Sequence, residues 1–149
     1  MSAIDPNAPY FQAGQVIVVA LPPAQIKALA EVPAVLVPAQ GANTVVVVDR
    51  IVMQLVFGTV AYAGTGSNDL LFAFGANGAA QIWGASSADL LDSTGALLEF
   101  APFWADSIAT NLAANQAVTL SNTSSDYTNG NGTLLVKTYF SVEMLPLRV

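Results

Sequence analysis

The chain has 149 residues, of which 54% are hydrophobic and only 9% charged, with a net charge of −6. Its four cations, Lys27, Arg50, Lys137 and Arg148, are too scattered to form a basic stripe, which argues against nucleic-acid binding and against docking on anionic membranes. With no histidine and no cysteine, the chain lacks the commonest general base, the commonest transition-metal ligand, thiolate metal sites and disulfides.

The length suits one domain, and the apolar supply is ample for a core. So few charges cannot cover a lone monomer, so part of the apolar surface is expected to lie between subunits. The opening MSAIDPNAPYFQAG holds an acid and no basic segment, unlike a signal peptide. The longest apolar runs, VVVV at 45–48 and Ile51 to Phe57, fall well short of the ~20 residues of a membrane helix. A soluble, untargeted protein is expected.

Residues 1–14 carry prolines and amides without a period and read as an extended arm. QVIVVAL (15–21) reads as a first strand. The expected organisation is therefore an arm and first strand over 1–21, ahead of a single β-sandwich domain over 22–149. In PPAQIKALAEVP the period changes. Pro22 and Pro23 suit a helix start, Ile26, Leu29 and Ala30 repeat at helical spacing, and Pro33 stops it. AVLVPAQGANTVVVVDRIVMQLVFG reads as two strands joined by the turn PAQGAN (38–43). Asp49 and Arg50 interrupt its β-branched run. Adjacent strand residues point to opposite faces, so these two need not bond each other; pairing of one across a subunit contact is the alternative to the commoner case, in which such residues mark the exposed side of a strand.

Further strand candidates are VAYAG (60–64), DLLFAFG (69–75), AAQIWG (79–84), ALLEFAP (96–102), QAVTLSN (116–122) and GTLLVKTYFSVEML (132–145). GTGSN, GANG and TNGNG supply turns that tolerate positive φ. SSADLLDSTG (86–95) suits a short helical turn with Ser87 as its N-cap. The last strand alternates cleanly. Leu134, Val136, Thr138, Phe140 and Val142 form a core-like face, and Leu135, Lys137, Tyr139, Ser141 and Glu143 face the other way. Short strands at roughly 8–12-residue spacing predict an all-β fold, an antiparallel β-sandwich with one or two short helical turns. A two-sheet jelly roll is the first choice within that class.

The polar stretch SNTSSDYTNGNG raises three readings. As a calcium loop it offers Asn122, Ser124, Asp126, Asn129 and Asn131, but it has one carboxylate and Thr128 and Gly130 at the alternate positions. Asn122-Thr-Ser and Asn131-Gly-Thr match the glycan-acceptor pattern without a secretion signal beside them. A hairpin tip, with Gly130 and Gly132 in the strained positions, is the simpler expectation. Asp89 and Asp92 are three residues apart, while Asp69, Glu99 and Asp106 stand alone, so no local carboxylate pair marks a glycosidase. Serines have no histidine partner, no G-x-S-x-G elbow occurs, and no phosphate-binding glycine motif follows a strand. No catalytic residue, metal ligand set or cofactor is expected. The densest aromatic cluster is Phe100, Phe103 and Trp104, in a stretch that reads equally as core filler or as a contact. Tyr10 and Phe11 in the arm need somewhere to dock.

The order QIKAL (25–29), PAVLVPAQGANTVVVVDRIVMQL (33–55), YAG (62–64) and NQAVTLSNTSSDYTNGNGTLLVKTYFSVEML (115–145) resembles small virion proteins of tailed bacteriophages. In those proteins a short helix precedes a VPAPGAG-like turn and a β-branched strand. A closing strand pair follows the form NxAxxLxN…G-G-TLxVxxxY. The resemblance covers most of the chain after residue 22 and rests on turn and strand patterns. It implies a structural role without enzymatic activity, most often as a head decoration or cement protein. Such proteins sit on the outer capsid surface, often as trimers, and clamp neighbouring major capsid subunits. The implied partners are further copies of the chain and the major capsid protein, and the implied location is the virion after synthesis in the host cytoplasm. On this reading Tyr10, Phe11, Phe100, Phe103 and Trp104 are the candidate subunit or capsid contacts. The alternative is a trimeric receptor-binding or tail-fibre tip that recognises cell-surface glycans through the aromatics and the 121–131 loop. A small glycan hydrolase is a third reading, with Glu99 and Asp106 as the residues to test.

Overall fold

The computed structural model describes residues 11–64, 69–75, 80–86, 90–95, 97–102, 114–122 and 125–145, with backbone alone at 11–13, 80, 81, 83, 85, 86 and 97–102. Strand β1 spans Phe11–Leu21, so it begins ahead of the expected Gln15. Helix α1 spans Pro23–Lys27. Pro22 is extended at the N-cap, with φ −70° and ψ 164°, and Pro23 takes the first turn, where its missing N–H costs nothing. The helix ends at Lys27, and turns continue to Val32 through N–H bonds from Glu31 and Val32 to the Ala28 carbonyl. Ile26 and Leu29 are fully buried, as their spacing predicts, and each contributes on the order of 2 kcal/mol by leaving water.

The remaining strands are β2 (Ala34–Val37), β3 (Thr44–Val56), β4 (Tyr62–Ala63), β5 (Asp69–Phe74), β6 (Ala80–Ser86), β7 (Leu97–Pro102), β8 (Val118–Asn122), β9 (Thr128–Asn129) and β10 (Thr133–Met144). They form two four-stranded sheets, β1-β10-β3-β7 and β2-β8-β5-β6, and a small β4-β9 ladder. Every pairing is antiparallel. The pairing is nested: β1 takes β10, β2 takes β8, β3 takes β7, and β5 takes β6. The chain is an antiparallel β-sandwich, as expected. Among the described residues no helix is long and apolar enough to cross a membrane.

One core fills the space between the sheets. Leu21, Ile51, Met53, Leu55, Leu134, Val136 and Phe140 enter it from the first sheet. Leu36, Leu70, Phe72, Val118 and Leu120 enter from the second. The core face of β10 is as the sequence predicts, with Leu134, Val136, Thr138, Phe140 and Val142 all buried, while Ser141 on the other face is buried as well. Thr138 is the polar exception on the core face, and its hydroxyl has no hydrogen-bond partner among the described residues.

Two expectations are corrected. The stretch from 121 to 131 is not a hairpin tip, because β8 and β10 belong to different sheets and do not pair. It is a crossover between the layers. Its TNGNG segment looks like a hairpin turn because the backbone does need positive φ there, at Asn129 (53°) and Gly130 (70°). Asp49 and Arg50 do not point to opposite faces either. Arg50 pairs with Tyr139 and Val48 with Phe140, which leaves Asp49 as an extra residue in a β-bulge. Both Asp49 and Arg50 are exposed, between Val48, packed on the core, and buried Ile51. The turn proposed at 86–95 falls partly on Ser87, which lies outside the described residues; Leu90 and Leu91 within it are buried.

Candidate interaction face

The outer face of the first sheet is built by three strands in register. Tyr139 stands between Val16 of β1 and Arg50 of β3. Lys137 stands between Val18 and Val52, and Leu135 between Ala20 and Gln54. Directly opposed residues of an antiparallel pair share a face, so these nine positions form three rows of one surface. Beyond β3, Phe100 is in register with Val52 and Pro102 with Arg50. Val16 is 46% exposed and Val18 57% exposed, and neighbouring Val56 is 45% exposed. A sheet face of an isolated protein is usually polar where it meets water. This one presents valines.

The bulge at Asp49 makes the arrangement. Val46 and Val48 point into the core, so an unbroken strand would send Arg50 inward after them. The extra residue reverses the parity. Ile51, Met53 and Leu55 then fill the core, and Arg50 stands outside. Its guanidinium carbon lies 3.8 Å from the centroid of the Tyr139 ring. The Lys137 ammonium lies 5.2 Å from the same centroid. Two of the four cations in an acidic chain therefore converge on one tyrosine. Cation–π contacts of this kind contribute modestly where the ring is open to water. Their electrostatic effect on the phenol is directional. Hydrogen bonding from Lys137 holds its pKa below the usual tyrosine value, partial removal from water opposes this, and Arg50 adds to the lowering. A second bulge faces the same level from the other side. Gln12 pairs with Val142 and Gln15 with Phe140, so Ala13 and Gly14 oppose Ser141 alone, with Gly14 at φ 41°.

The polar crossover is a different kind of structure. Asn131 Oδ1 accepts from the backbone N–H of Thr59 (2.8 Å) and of Val60 (2.9 Å), and its Nδ2 donates to Thr59 Oγ1 (2.8 Å). The Asn131 N–H donates to the Val60 carbonyl. Tyr62 donates its hydroxyl to the Gly132 carbonyl at 2.6 Å. Burial pushes the Tyr62 phenol up to about 12. A Cβ on Gly130 would collide with the Tyr62 ring. Asn122, the other asparagine of the glycan pattern, is buried and donates Nδ2 to the Ser125 carbonyl at 2.9 Å. These side chains fasten the crossover to the 58–63 segment. Among the described residues no cluster of three or more carboxylates, histidines or cysteines is placed to hold a metal ion.

Of the residues singled out from the sequence, Tyr10, Phe103 and Trp104 lie outside the described residues. Phe11 opens β1 opposite Glu143, and Phe100 sits in β7 opposite Val52. Sequence reasoning missed the Arg50–Tyr139–Lys137 group. The signal was present in the alternation of LVKTYF, which puts Lys137 and Tyr139 on the non-core face.

No protein-family model matches the chain, and no curated protein matches it. Among solved structures, a chain of the cyanophage Pam1 capsid asymmetric unit is similar in fold, with a TM-score of 0.49 and 10% identity over 95% of this chain and 93% of that one.

Proposed function

We propose that this protein is a structural component of a bacteriophage virion, a decoration or cement protein that binds the outer surface of the capsid and stabilises the shell. The observation that carries the reading is the exposed valine face of the first sheet, which has the composition of a contact surface and lies on rigid strands. We read the nested order β1-β10-β3-β7 against β2-β8-β5-β6 as a jelly roll, and that reading supports the proposal, because viral capsid proteins use this architecture. Fold alone does not assign function, so the weight rests on the face. The low charge content supports burial of apolar surface between copies, and the homotrimer is what the resemblance to phage decoration proteins implies. The partners are further copies of the chain and the major capsid protein. Tyr10, Phe11, Phe100, Phe103 and Trp104 remain the proposed aromatic contacts, and two of them, Phe11 and Phe100, sit in strands of the first sheet. The mechanism is associative. Many identical copies on a fixed lattice gain avidity from contacts that are individually weak.

The test has two steps. Sedimentation gives the mass of the purified protein, with a trimer expected. Co-sedimentation with a panel of empty tailed-phage capsids then gives binding, alongside a glycan array. Capsid binding without glycan binding supports the reading. Glycan binding without capsid binding overturns it in favour of a receptor-binding tip. A monomer that binds neither overturns the reading and the inference of buried subunit surface together.

A further inference from the structure

The Arg50–Tyr139–Lys137 group stands outside the core, on the solvent face of the first sheet. Both cations are on the solvent side of the sheet, and neither makes an ion pair among the described residues. Their neighbours in register are Val16, Val18, Val52, Gln54, Leu135, Ala20, Phe100 and Pro102, with no acid among them, and the carboxylate next to them in the chain is Asp49, exposed in the bulge beside Arg50. In a chain of net charge −6, this places positive charge on an apolar field. Tyr139 keeps the two charges close: each cation is attracted to the ring face, which offsets part of their mutual repulsion. The bulge at Asp49 is what brings Arg50 to the outside.

We infer that this face docks an acidic protein segment, in which one or two carboxylates reach Arg50 and Lys137 while flanking apolar side chains cover Val16, Val18 and Val52. Charge complementarity selects the occupant. The guanidinium and ammonium donors match a carboxylate, and the apolar surround lowers the local dielectric and strengthens the pairing. A second copy docking the same patch about a two-fold axis would bring cations onto cations, which disfavours self-pairing here. The inference rests on the proposed virion role only for the identity of the partner, the capsid shell. The chemistry of the face stands without it.

The experiment uses the full chain and a short peptide of alternating glutamate and valine. Its controls are the same peptide with glutamine or lysine in place of glutamate. Backbone amide shifts locate the contact, and titration at low and high salt gives the affinity. The glutamate peptide is expected to bind, to perturb Val16, Val18, Arg50, Val52, Lys137 and Tyr139, and to weaken with salt. The glutamine peptide should bind roughly tenfold or more weakly, and the Arg50→Gln/Lys137→Gln variant should lose the same factor. Both substitutions are on exposed positions, and the conservative variant Lys137→Arg should retain binding, which separates loss of charge from loss of fold. Equal binding of the three peptides, shifts confined to another surface, or no binding at all would overturn the inference. Capsid co-sedimentation separates the two claims. Peptide binding without capsid binding removes the virion role and leaves the acidic site, while capsid binding unaltered in the double variant does the reverse.

Discussion

Arg50 rests on Tyr139, 3.8 Å from guanidinium carbon to ring centroid, because Asp49 occupies a bulge one residue before it. The contact and the core share a cause. The same extra residue that turns Arg50 outward turns Ile51, Met53 and Leu55 inward.

Deleting Asp49 should therefore do what replacing it does not. Without the bulge, either Arg50 enters the core or the Thr44–Val48 end of β3 turns its buried valines to water. An unpaired buried guanidinium costs several kcal/mol. The deletion variant is expected to lose cooperative unfolding in urea, or to fall by at least about 3 kcal/mol, while Asp49→Ala changes stability by no more than about 0.5 kcal/mol. A deletion variant as stable as the parent would show that the bulge does not set the register.

Asn131→Ala removes three side-chain hydrogen bonds between the crossover and residues 59–60. Two backbone N–H groups lose their acceptor, in a segment open to water. A loss of about 1–3 kcal/mol is expected in equilibrium unfolding. Faster amide exchange at Thr59 and Val60 than elsewhere would place the damage at the fastening.

Thr138→Val should stabilise the protein. The Thr138 hydroxyl is buried with no partner among the described residues, so its removal returns a desolvation cost and keeps the shape. A gain of about 1 kcal/mol is expected from thermal or urea unfolding. A loss of similar size would mean that the hydroxyl has a partner in solution.

The two tyrosines titrate in opposite directions. Tyr62 is raised to about 12, above the ordinary value of about 10, so between those values the folded chain holds a proton that the unfolded chain has released. Its contribution is complete below pH ~10 and is lost as pH rises towards 12, and Tyr62→Phe should remove that part of the alkaline decline. Tyr139 is lowered, chiefly by Lys137, so its phenolate forms below the ordinary value in the folded chain. Ultraviolet titration should show this early component, and it should disappear in Tyr139→Phe and move upward in Lys137→Gln.

Much of the sandwich is legible in the sequence because its strands carry strong local signals. LLVKTYFSV alternates without interruption, and all five of its core positions are buried. PPAQIK announces its helix by proline and spacing. The features that escape are those where two distant segments decide the outcome. Asp49 and Arg50 look like a charged interruption until the partner strand shows that one of them is unpaired. TNGNG has the chemistry of a hairpin turn, yet its positive-φ residues serve a two-residue ladder with Tyr62 and Ala63, a contact no local pattern marks. Aromatic density drew attention to Phe100, Phe103 and Trp104. Tyr139 has one aromatic neighbour in its strand, the buried Phe140, and only cross-strand register brings Arg50 to it.

Phe11 sits opposite Glu143, at the start of β1 and near the end of β10. A force that drew these two strand ends apart would open the ladder like a zipper, straining one rung at a time, each holding about 1 kcal/mol. A force along the sheet would instead shear the β1–β10 and β10–β3 rungs all at once. The molecule is thus weak when its two strand ends are drawn apart and strong when the load runs along its strands.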